Sequence, residues 1–298
     1  MEIRTLSQQF REHATYMLGY SPDTTRRYRL VIQILQRMMS LEHIEQCTEP
    51  KIREFFYRGR VERHWTPSTF VTYRKSLVVF FRWCVRHGHL TGNPTDGIEL
   101  PKIPKSLPGK LNQSESERLL DVVRNYPYPH PFLGVRNHAI FATFLLAGPR
   151  MKELLRLQCV DVDVENRSLF IRRGKGSKDR VISMNVALVG ILERYRGERV
   201  KLGKTCPEFF ASLTRDRGLS CQGLRRLIAF AGQVTGTPFT AHKLRHTFAT
   251  LMLEGGCDIF SLSKMMGHSD IKTTTIYLAA STQHLRAQVA KHPLNQGF

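Results

Sequence analysis

Apolar residues recur at helical spacing through most of the first hundred positions. Val31, Ile32 and Leu35, for example, fall on one face of a helix. Another helix has Thr66 as its predicted N-cap and Pro67 at its first position. The pattern predicts four helices in this part of the chain, at residues 6–18, 24–39, 49–60 and 66–87.

Residues 99–110 interrupt this pattern, because prolines are spaced among basic residues there without helical periodicity. A new helix is predicted after Asn112, since Glu115 would complete a capping box with it. We therefore predict a helical domain at residues 1–98, a linker at 99–110 and a second domain at 111–298.

One junction in the second domain combines a glycine, a proline and an arginine. The apolar helix predicted at residues 136–147 ends at Gly148. Pro149 then suits the first position of a new helix, which would place Arg150 in its first turn. The amide groups at such a helix start, together with the arginine, favour a phosphate.

The next segment changes from helical to β periodicity. Two β-rich runs flank a glycine-bounded tip that carries Lys175 and Lys178, which predicts an antiparallel hairpin. The runs and the helices that follow are predicted at residues 168–173, 180–184, 187–196 and 220–234. The fold class is therefore mainly α with a small antiparallel β-sheet.

Polar side chains concentrate in the segment from 240 to 277. A helix capped by Thr240 and stopped at Gly255 would hold His242, Arg245 and His246 within one turn. Two shorter helices are predicted at residues 258–266 and 271–278.

A turn at Gly267 and His268 joins the two shorter helices, and the second of them carries Tyr277. If these groups converge with the helix before them, they form a site for an anionic centre beside a phenol nucleophile.

The net charge of the chain indicates what kind of molecule it binds. The chain has 45 Lys and Arg against 25 Asp and Glu, a formal net charge of +20, within an otherwise ordinary globular composition. Such an excess favours a polyanion, of which nucleic acid is the commonest. We found no secretion signal and no membrane anchor in the sequence, and the six scattered cysteines are typical of reduced residues in a cytoplasmic protein.

Basic residues also punctuate the N-terminal helices, at Arg26, Arg27, Arg29, Arg74 and Lys75. Any one of them alone is typical of a solvated surface. Together they indicate a domain that straddles the backbone of double-stranded DNA. This domain and the second domain, joined by the basic linker, could close around a duplex as a clamp.

Five spaced elements carry a resemblance to a known family. In chain order they are Gly148 and Arg150 with Glu153 and Leu154, Gly174-Lys175-Gly176, His242-x-x-Arg245-His246, Gly267-His268, and Tyr277 nine residues beyond His268. The chain resembles the tyrosine recombinases, the phage integrase family of site-specific DNA recombinases. The resemblance implies a core-binding domain formed by the N-terminal helices and a catalytic domain from about residue 111.

The chemistry of such a reaction can be argued from the side chains. Attack of a phenol on a phosphodiester builds charge on the phosphoryl oxygens, and Arg150 and Arg245 offer bidentate forks to it. Tyr277 must lose its proton as it attacks, and we expect His242 to accept that proton as general base. No metal, cofactor or ATP enters this scheme.

The resemblance itself implies the remaining roles. Lys175 would protonate the departing deoxyribose oxygen, and His268 would hydrogen-bond a non-bridging oxygen. The product would be a 3′-phosphotyrosine and a free 5′ hydroxyl, ready for rejoining to another strand. The family's assembly would be a homo-tetramer on two DNA sites that passes through a Holliday junction.

Several assignments leave alternatives open. Lys178 is an alternative to Lys175 as the hairpin lysine that protonates the departing oxygen. His242 and His246 have zinc-ligand spacing, but Lys243 stands where a metalloprotease helix has glutamate. We interpret His246 as a buried residue that is either structural or supports a catalytic group from behind, and Glu153 as a structural partner.

Two other functional classes stay open from the sequence, a type IB topoisomerase and a non-catalytic DNA-binding factor. The length leaves no room for the extra arm-binding domain of some phage integrases. That favours a mobile-element integrase or resolvase, or a chromosome-dimer resolvase.

Overall fold

Four helices form the N-terminal unit of the structure, which is a computed structural model describing residues 1–104, 109–172, 179–268 and 270–280. Their bounds are α1 (Ile3–Tyr16), α2 (Pro22–Met39), α3 (Glu49–Val61) and α4 (Pro67–Arg86). Thr66 caps α4 by accepting the Thr69 amide, with Pro67 at the first position as predicted. All four predicted helices are confirmed, with shifts of a few residues at their ends.

Aromatic and aliphatic side chains fill the space between these helices. Phe10, Val31, Leu35, Phe55 and Phe80 are all at most 1% exposed. Val31 and Leu35 lie on the apolar face that the sequence pattern predicts for α2, and burial of these side chains holds the unit together.

The basic residues of this unit are mostly on its surface. Arg26, Arg27, Arg29 and Lys75 are exposed, whereas Arg74 is half-buried and donates to the Thr95 carbonyl at 3.3 Å. Arg74 therefore has a structural contact within its own unit, beyond the surface role predicted for it.

By its internal contacts the chain divides into two compact units, Met1–Lys105 and Ser106–Phe298. The limits of the predicted domains at residues 98 and 111 stay a prediction. In the described part of the second unit the helices are α5 (Gln113–Asn125), α6 (Pro131–Ala147), α7 (Met151–Arg156), α8 (Val186–Lys201), α9 (Cys221–Thr235), α10 (Ala241–Glu254), α11 (Ile259–Met266) and α12 (Lys272–Ala280).

A small antiparallel sheet lies between α7 and α8. Its strands are β1 (Val162–Asp163), β2 (Ser168–Ile171) and β3 (Arg180–Ser183), in the order β1-β2-β3. Leu169 pairs with Ile182, and both point into the core. The mainly α fold with a small antiparallel sheet is confirmed.

Some local predictions need correction. The predicted helix at 136–147 begins earlier, at Pro131, because the His130 ring accepts the Phe132 amide and caps it. Strand β1 was not predicted, since two residues are too few to show alternation. Of the predicted hairpin, residues 173–178 lie outside the described residues, as does the chain beyond 280.

The six cysteines are all free thiols. Three of them, Cys47, Cys84 and Cys206, are buried, and the other three are half-buried. Burial raises the pKa of Cys47 and of Cys84 to about 12, so these thiols stay protonated at neutral pH. In the part of the chain that the structure describes, no helix is long and apolar enough to cross a membrane.

Candidate active site

Helix α10 supplies the polar face predicted from the sequence. Thr240 caps it by accepting the Lys243 amide at 3.1 Å, and Gly255 ends it. Arg245 and His246 are buried on this helix, whereas His242 is exposed. The rings of His242 and His246 lie 4.0 Å apart between centroids, as their i, i+4 spacing requires.

Arg245 lies between the C-terminal ends of two other helices. Its Nη1 donates to the Gly148 carbonyl at the end of α6, at 2.5 Å, and its Nη2 donates to the Met266 carbonyl at the end of α11. Carbonyls at helix C-termini lack partners within the helix and carry partial negative charge, so they suit a cation. Burial, and then the charge of Arg150, lower the Arg245 pKa to about 10, which still leaves a cation at neutral pH.

Arg150 is the N-cap of α7 and is not in its first turn, which corrects the sequence prediction. The cause is Glu153, whose carboxylate accepts the Arg150 backbone amide at 2.7 Å and so makes Arg150 the start of a capping box. The same carboxylate accepts Arg150 Nη1 at 2.7 Å. The Arg150 side chain is 28% exposed and its Nη2 lies 3.4 Å from the Gly267 carbonyl.

Gly148 makes this junction possible. Its φ is +61°, and a Cβ there would overlap the ring of Phe248. Only glycine satisfies both conditions without strain.

We expect Gly148→Ala to lower the free energy of unfolding by about 2–5 kcal/mol, the sum of left-handed backbone strain and overpacking. Gly203 is a matched control, because its φ is +65° and no atom lies within 4 Å of the position that a Cβ would take. Gly203→Ala should cost only about 1–2 kcal/mol. Denaturant titration of both variants measures the difference, and equal losses would contradict the packing argument.

His268 follows the glycine turn at the end of α11. Gly267 has φ +63°, and His268 Nδ1 lies 2.8 Å from the hydroxyl of Thr274, which is fully buried. Arg245 Nη2 lies 3.4 Å from His268 Nε2. These contacts fix the imidazole plane beside the arginine.

Tyr277 lies on α12 with only 2% of its surface exposed. Its hydroxyl is 2.9 Å from His246 Nδ1, and its ring is nearly parallel to that of His268 at 6.4 Å between centroids. Burial raises the Tyr277 pKa, although Arg245 and Arg150 act in the opposite direction. The phenol is therefore neutral at pH 7 and must lose its proton to react.

His246 is the residue whose position the sequence did not reveal. The sequence predicts a buried residue that is structural or supports a catalytic group, and the structure places its ring within hydrogen-bond distance of the hydroxyl of the candidate nucleophile. Burial, then His242 and Arg245, lower the His246 pKa to about 4. Partial desolvation, then Arg245 and Arg150, also lower the His242 pKa below its ordinary value. Both rings are neutral at pH 7 and can accept a proton.

A cavity of about 810 Å³ collects these groups. Five of the six predicted site residues line it: Arg150, His242, Arg245, His268 and Tyr277. The sixth, Lys175, lies outside the described residues, as does its competitor Lys178. Lys152 and Arg225 add further basic side chains to the wall. This arrangement suits a phosphodiester held by two guanidinium groups beside a phenol.

Arg180 and Glu153 lie behind this cavity. Arg180 donates from Nη1 and Nη2 to the two oxygens of Glu153, at 2.9 and 2.8 Å. Nothing in the sequence singled out Arg180, because an arginine after a glycine-rich tip normally predicts a solvated side chain. Among the described residues, no group of three or more His, Cys, Asp or Glu side chains is arranged to hold a metal ion.

Comparison with protein families gives two matches along the chain. The phage integrase family matches residues 110–284, and the phage integrase N-terminal SAM-like domain matches residues 6–88. Together they span both units of the structure.

Curated relatives are similar over nearly the whole chain. Tyrosine recombinase XerC 2 of Ralstonia nicotianae is 32% identical, with 94% of this chain and 83% of that protein covered. Tyrosine recombinase XerC of Shigella flexneri is 29% identical, with 98% and 97% covered.

Solved structures share the fold. The Tn1549 transposon integrase in complex with transposon right-end DNA has a TM-score of 0.75 at 19% identity, covering 98% of this chain and 99% of that one. The XerH site-specific recombinase bound to a palindromic difH substrate has a TM-score of 0.72 at 21% identity, covering 96% and 84%.

Proposed function

Because the chain belongs to the phage integrase family and is a tyrosine recombinase that cleaves and rejoins DNA at specific sites, we propose that Tyr277 is its nucleophile and forms a 3′-phosphotyrosine. One observation carries the assignment. The Tyr277 hydroxyl is hydrogen-bonded to an imidazole in a cavity lined by two arginines. No other described tyrosine lines that cavity.

In the proposed step, Tyr277 Oη attacks the scissile phosphorus and the bond from phosphorus to the 5′ oxygen breaks. Charge that develops on the non-bridging oxygens is met by Arg150 and Arg245, which are already fixed by carbonyls and a carboxylate. His268, whose ring lies beside Arg245, hydrogen-bonds the same oxygens. Fixed donors are effective here because they need no reorganisation when the charge appears.

The phenol proton needs an acceptor, and two imidazoles, those of His242 and His246, are candidates for this role. The proposal from sequence gives this role to His242. Geometry adds His246, since a general base must lie within hydrogen-bond reach of its proton and His246 Nδ1 lies 2.9 Å from the Tyr277 hydroxyl. Lys175 of the hairpin is proposed to protonate the departing 5′ oxygen, as the family resemblance implies.

The pH dependence of cleavage tests the acceptor. At DNA concentrations far below saturation, the rate of adduct formation reports the pKa values of the free enzyme. A base acts in its neutral form, and both pKa values are lowered from 6.5, so the rate should fall as the pH drops, with the midpoint of the fall below pH 6.5. The variant that loses this fall, His242→Gln or His246→Gln, identifies the acceptor. A fall centred above pH 6.5 would contradict the proposal.

Double-stranded DNA is the proposed substrate, contacted by the exposed basic residues of the N-terminal unit as well as by the catalytic cavity. The two solved neighbours named above contain DNA of a transposon end and of a difH site. We propose a homo-tetramer that joins two sites and resolves a Holliday junction. Its proposed biological role is that of a mobile-element integrase or resolvase, or of a chromosome-dimer resolvase. We also propose that the reaction takes place in the cytoplasm, where the DNA of bacteria such as the organisms of the named relatives lies.

A nicked suicide substrate tests the chemistry. The piece of DNA released after cleavage cannot rejoin, so the covalent adduct accumulates. We expect the label at the 3′ phosphate side to remain on the protein and the 5′ hydroxyl fragment to leave. Joining of two separate sites, as opposed to relaxation of a supercoiled plasmid alone, then separates a recombinase from a type IB topoisomerase.

A further inference from the structure

Three arginines converge on the C-terminal end of α11. Arg180 Nε donates to the Met265 carbonyl at 3.0 Å, Arg245 donates to the Met266 carbonyl, and Arg150 Nη2 lies 3.4 Å from the Gly267 carbonyl. These consecutive carbonyls are the ones that a helix end leaves without partners. Two of the three arginines face the cavity, whereas the third, Arg180, is not among the described residues that line it.

Arg180 begins strand β3 and pairs with Ile171 of β2. Its side chain is only 10% exposed, and three of its nitrogens have partners, namely Met265 and both oxygens of Glu153. Such a bidentate fork fixes direction as well as charge. Arg180 is therefore held rigidly, one layer behind the cavity.

Glu153 connects Arg180 to Arg150. Its side chain is 5% exposed, and its two oxygens accept two hydrogen bonds from Arg180 and two from Arg150. Burial alone would raise the Glu153 pKa, but the hydrogen bonds from Arg180 and Arg150 hold it at about 2, so the carboxylate is ionised. One negative charge is thus shared between two guanidinium groups.

Because Glu153 bonds both arginines, the presence of Arg180 determines how strongly Arg150 can attract a DNA phosphate. With Arg180 present, Glu153 is already compensated and Arg150 keeps an excess positive charge toward the cavity. Without Arg180, the buried carboxylate has only Arg150 as a charged partner among the contacts described above. The Glu153 carboxylate would then neutralise Arg150 in an ion pair and weaken the electrostatic attraction between Arg150 and a phosphate.

Arg180 also packs against the turn that presents His268. A Cβ on Gly267 would come within 2.8 Å of Arg180 Cδ, so the glycine turn lies directly on the arginine stem. The same side chain therefore supports both the Arg150 side and the His268 side of the cavity.

We propose that Arg180 is a positioning residue for DNA cleavage. It neutralises Glu153, so that Arg150 stays available to the phosphate, and it also supports the Gly267 turn before His268. It acts through these residues and does not touch the DNA. The inference rests on the proposed role of Arg150.

Single-turnover cleavage of the suicide substrate by the full chain tests it. Arg180→Gln removes the charge and should slow adduct formation about 10- to 100-fold with DNA affinity changed by less than about threefold. Arg180→Lys keeps the charge and loses the fork, so it should fall between Arg180→Gln and the parent. Arg136→Lys is the matched control, because Arg136 is 7% exposed in the same unit and bonds Ala211 and Asn137, away from the cavity. The folded fraction is measured by circular dichroism for every variant.

A second change distinguishes positioning from mere support of the fold. Adding Glu153→Gln to Arg180→Gln removes the uncompensated carboxylate, so the double variant should cleave several-fold faster than Arg180→Gln alone. A double variant no faster than the single one would overturn the proposal, as would an Arg180→Lys rate equal to that of Arg136→Lys at equal folded fraction. If the parent forms no adduct that depends on Tyr277, the proposed function fails first, and the inference with it.

Discussion

Replacing Tyr277 with phenylalanine is expected to abolish covalent adduct formation while DNA binding stays within about twofold of the parent. The change removes one oxygen and keeps the ring that packs beside His268 at 6.4 Å. Loss of the bond to His246 costs roughly 0.5–1.5 kcal/mol of stability, which a folded domain tolerates. The loss of cleavage is complete because the missing atom is the one that would bond to phosphorus.

Tyr195 gives the matched control for this experiment. Among the described residues of the second unit, Tyr195 and Tyr277 are the buried tyrosines. The Tyr195 hydroxyl donates to the Phe209 carbonyl and accepts the Ala211 amide. Tyr195→Phe should therefore cost similar or greater stability and leave the cleavage rate of the folded protein unchanged. Adduct formation by Tyr277→Phe, detected on denaturing gels with labelled DNA, would refute the assignment of the nucleophile.

Much of the fold follows from local signals in the sequence. The caps at Thr66, Asn112 and Thr240 begin helices where they were predicted, and each accepts an amide three residues later. Apolar periodicity predicted the N-terminal helices because their buried faces repeat at short spacing. These signals are local, so a single sequence carries them.

The candidate site was predictable to a lesser degree, because its contacts join residues far apart in the chain. Arg245 reaches Gly148, which is 97 positions away, and Arg180 reaches Met265 over 85 positions. The family motif named Arg150 and Arg245 and included Glu153, which we interpret as a structural partner, but it did not show that helix C-termini hold Arg245. The contact of His246 with Tyr277 depends in the same way on how α10 packs against α12.

The carbonyls around Arg245 show how the fold supplies a fixed cation. A buried guanidinium loses hydration, and the carbonyl ends of α6 and α11 replace part of it with oriented dipoles. Those dipoles compensate part of the lost hydration, and Arg245 still lines the cavity, where its charge can act. The arginine is therefore positioned before substrate arrives, which is the condition for stabilising charge in a transition state.

Arg245→Lys is accordingly expected to reduce the single-turnover cleavage rate by about 10²–10³-fold or more. An ammonium group has no planar fork, so it cannot donate to both helix ends and to a phosphate in the directions that the guanidinium uses. DNA binding should weaken far less, because the positive charge remains and most of the affinity for a duplex comes from many backbone contacts.

Arg199→Lys is the control, since Arg199 is similarly buried in the same unit and donates to the carbonyls of Cys206 and Glu208 instead. Both variants lose hydrogen bonds to buried carbonyls, and both should lower the thermal midpoint. Only Arg245→Lys should slow cleavage once the folded fraction is equal. Equal rates for the two variants would mean that Arg245 holds the helices together without contributing its charge to the reaction, and the phosphate would then have to be held by Arg150 and other groups of the cavity.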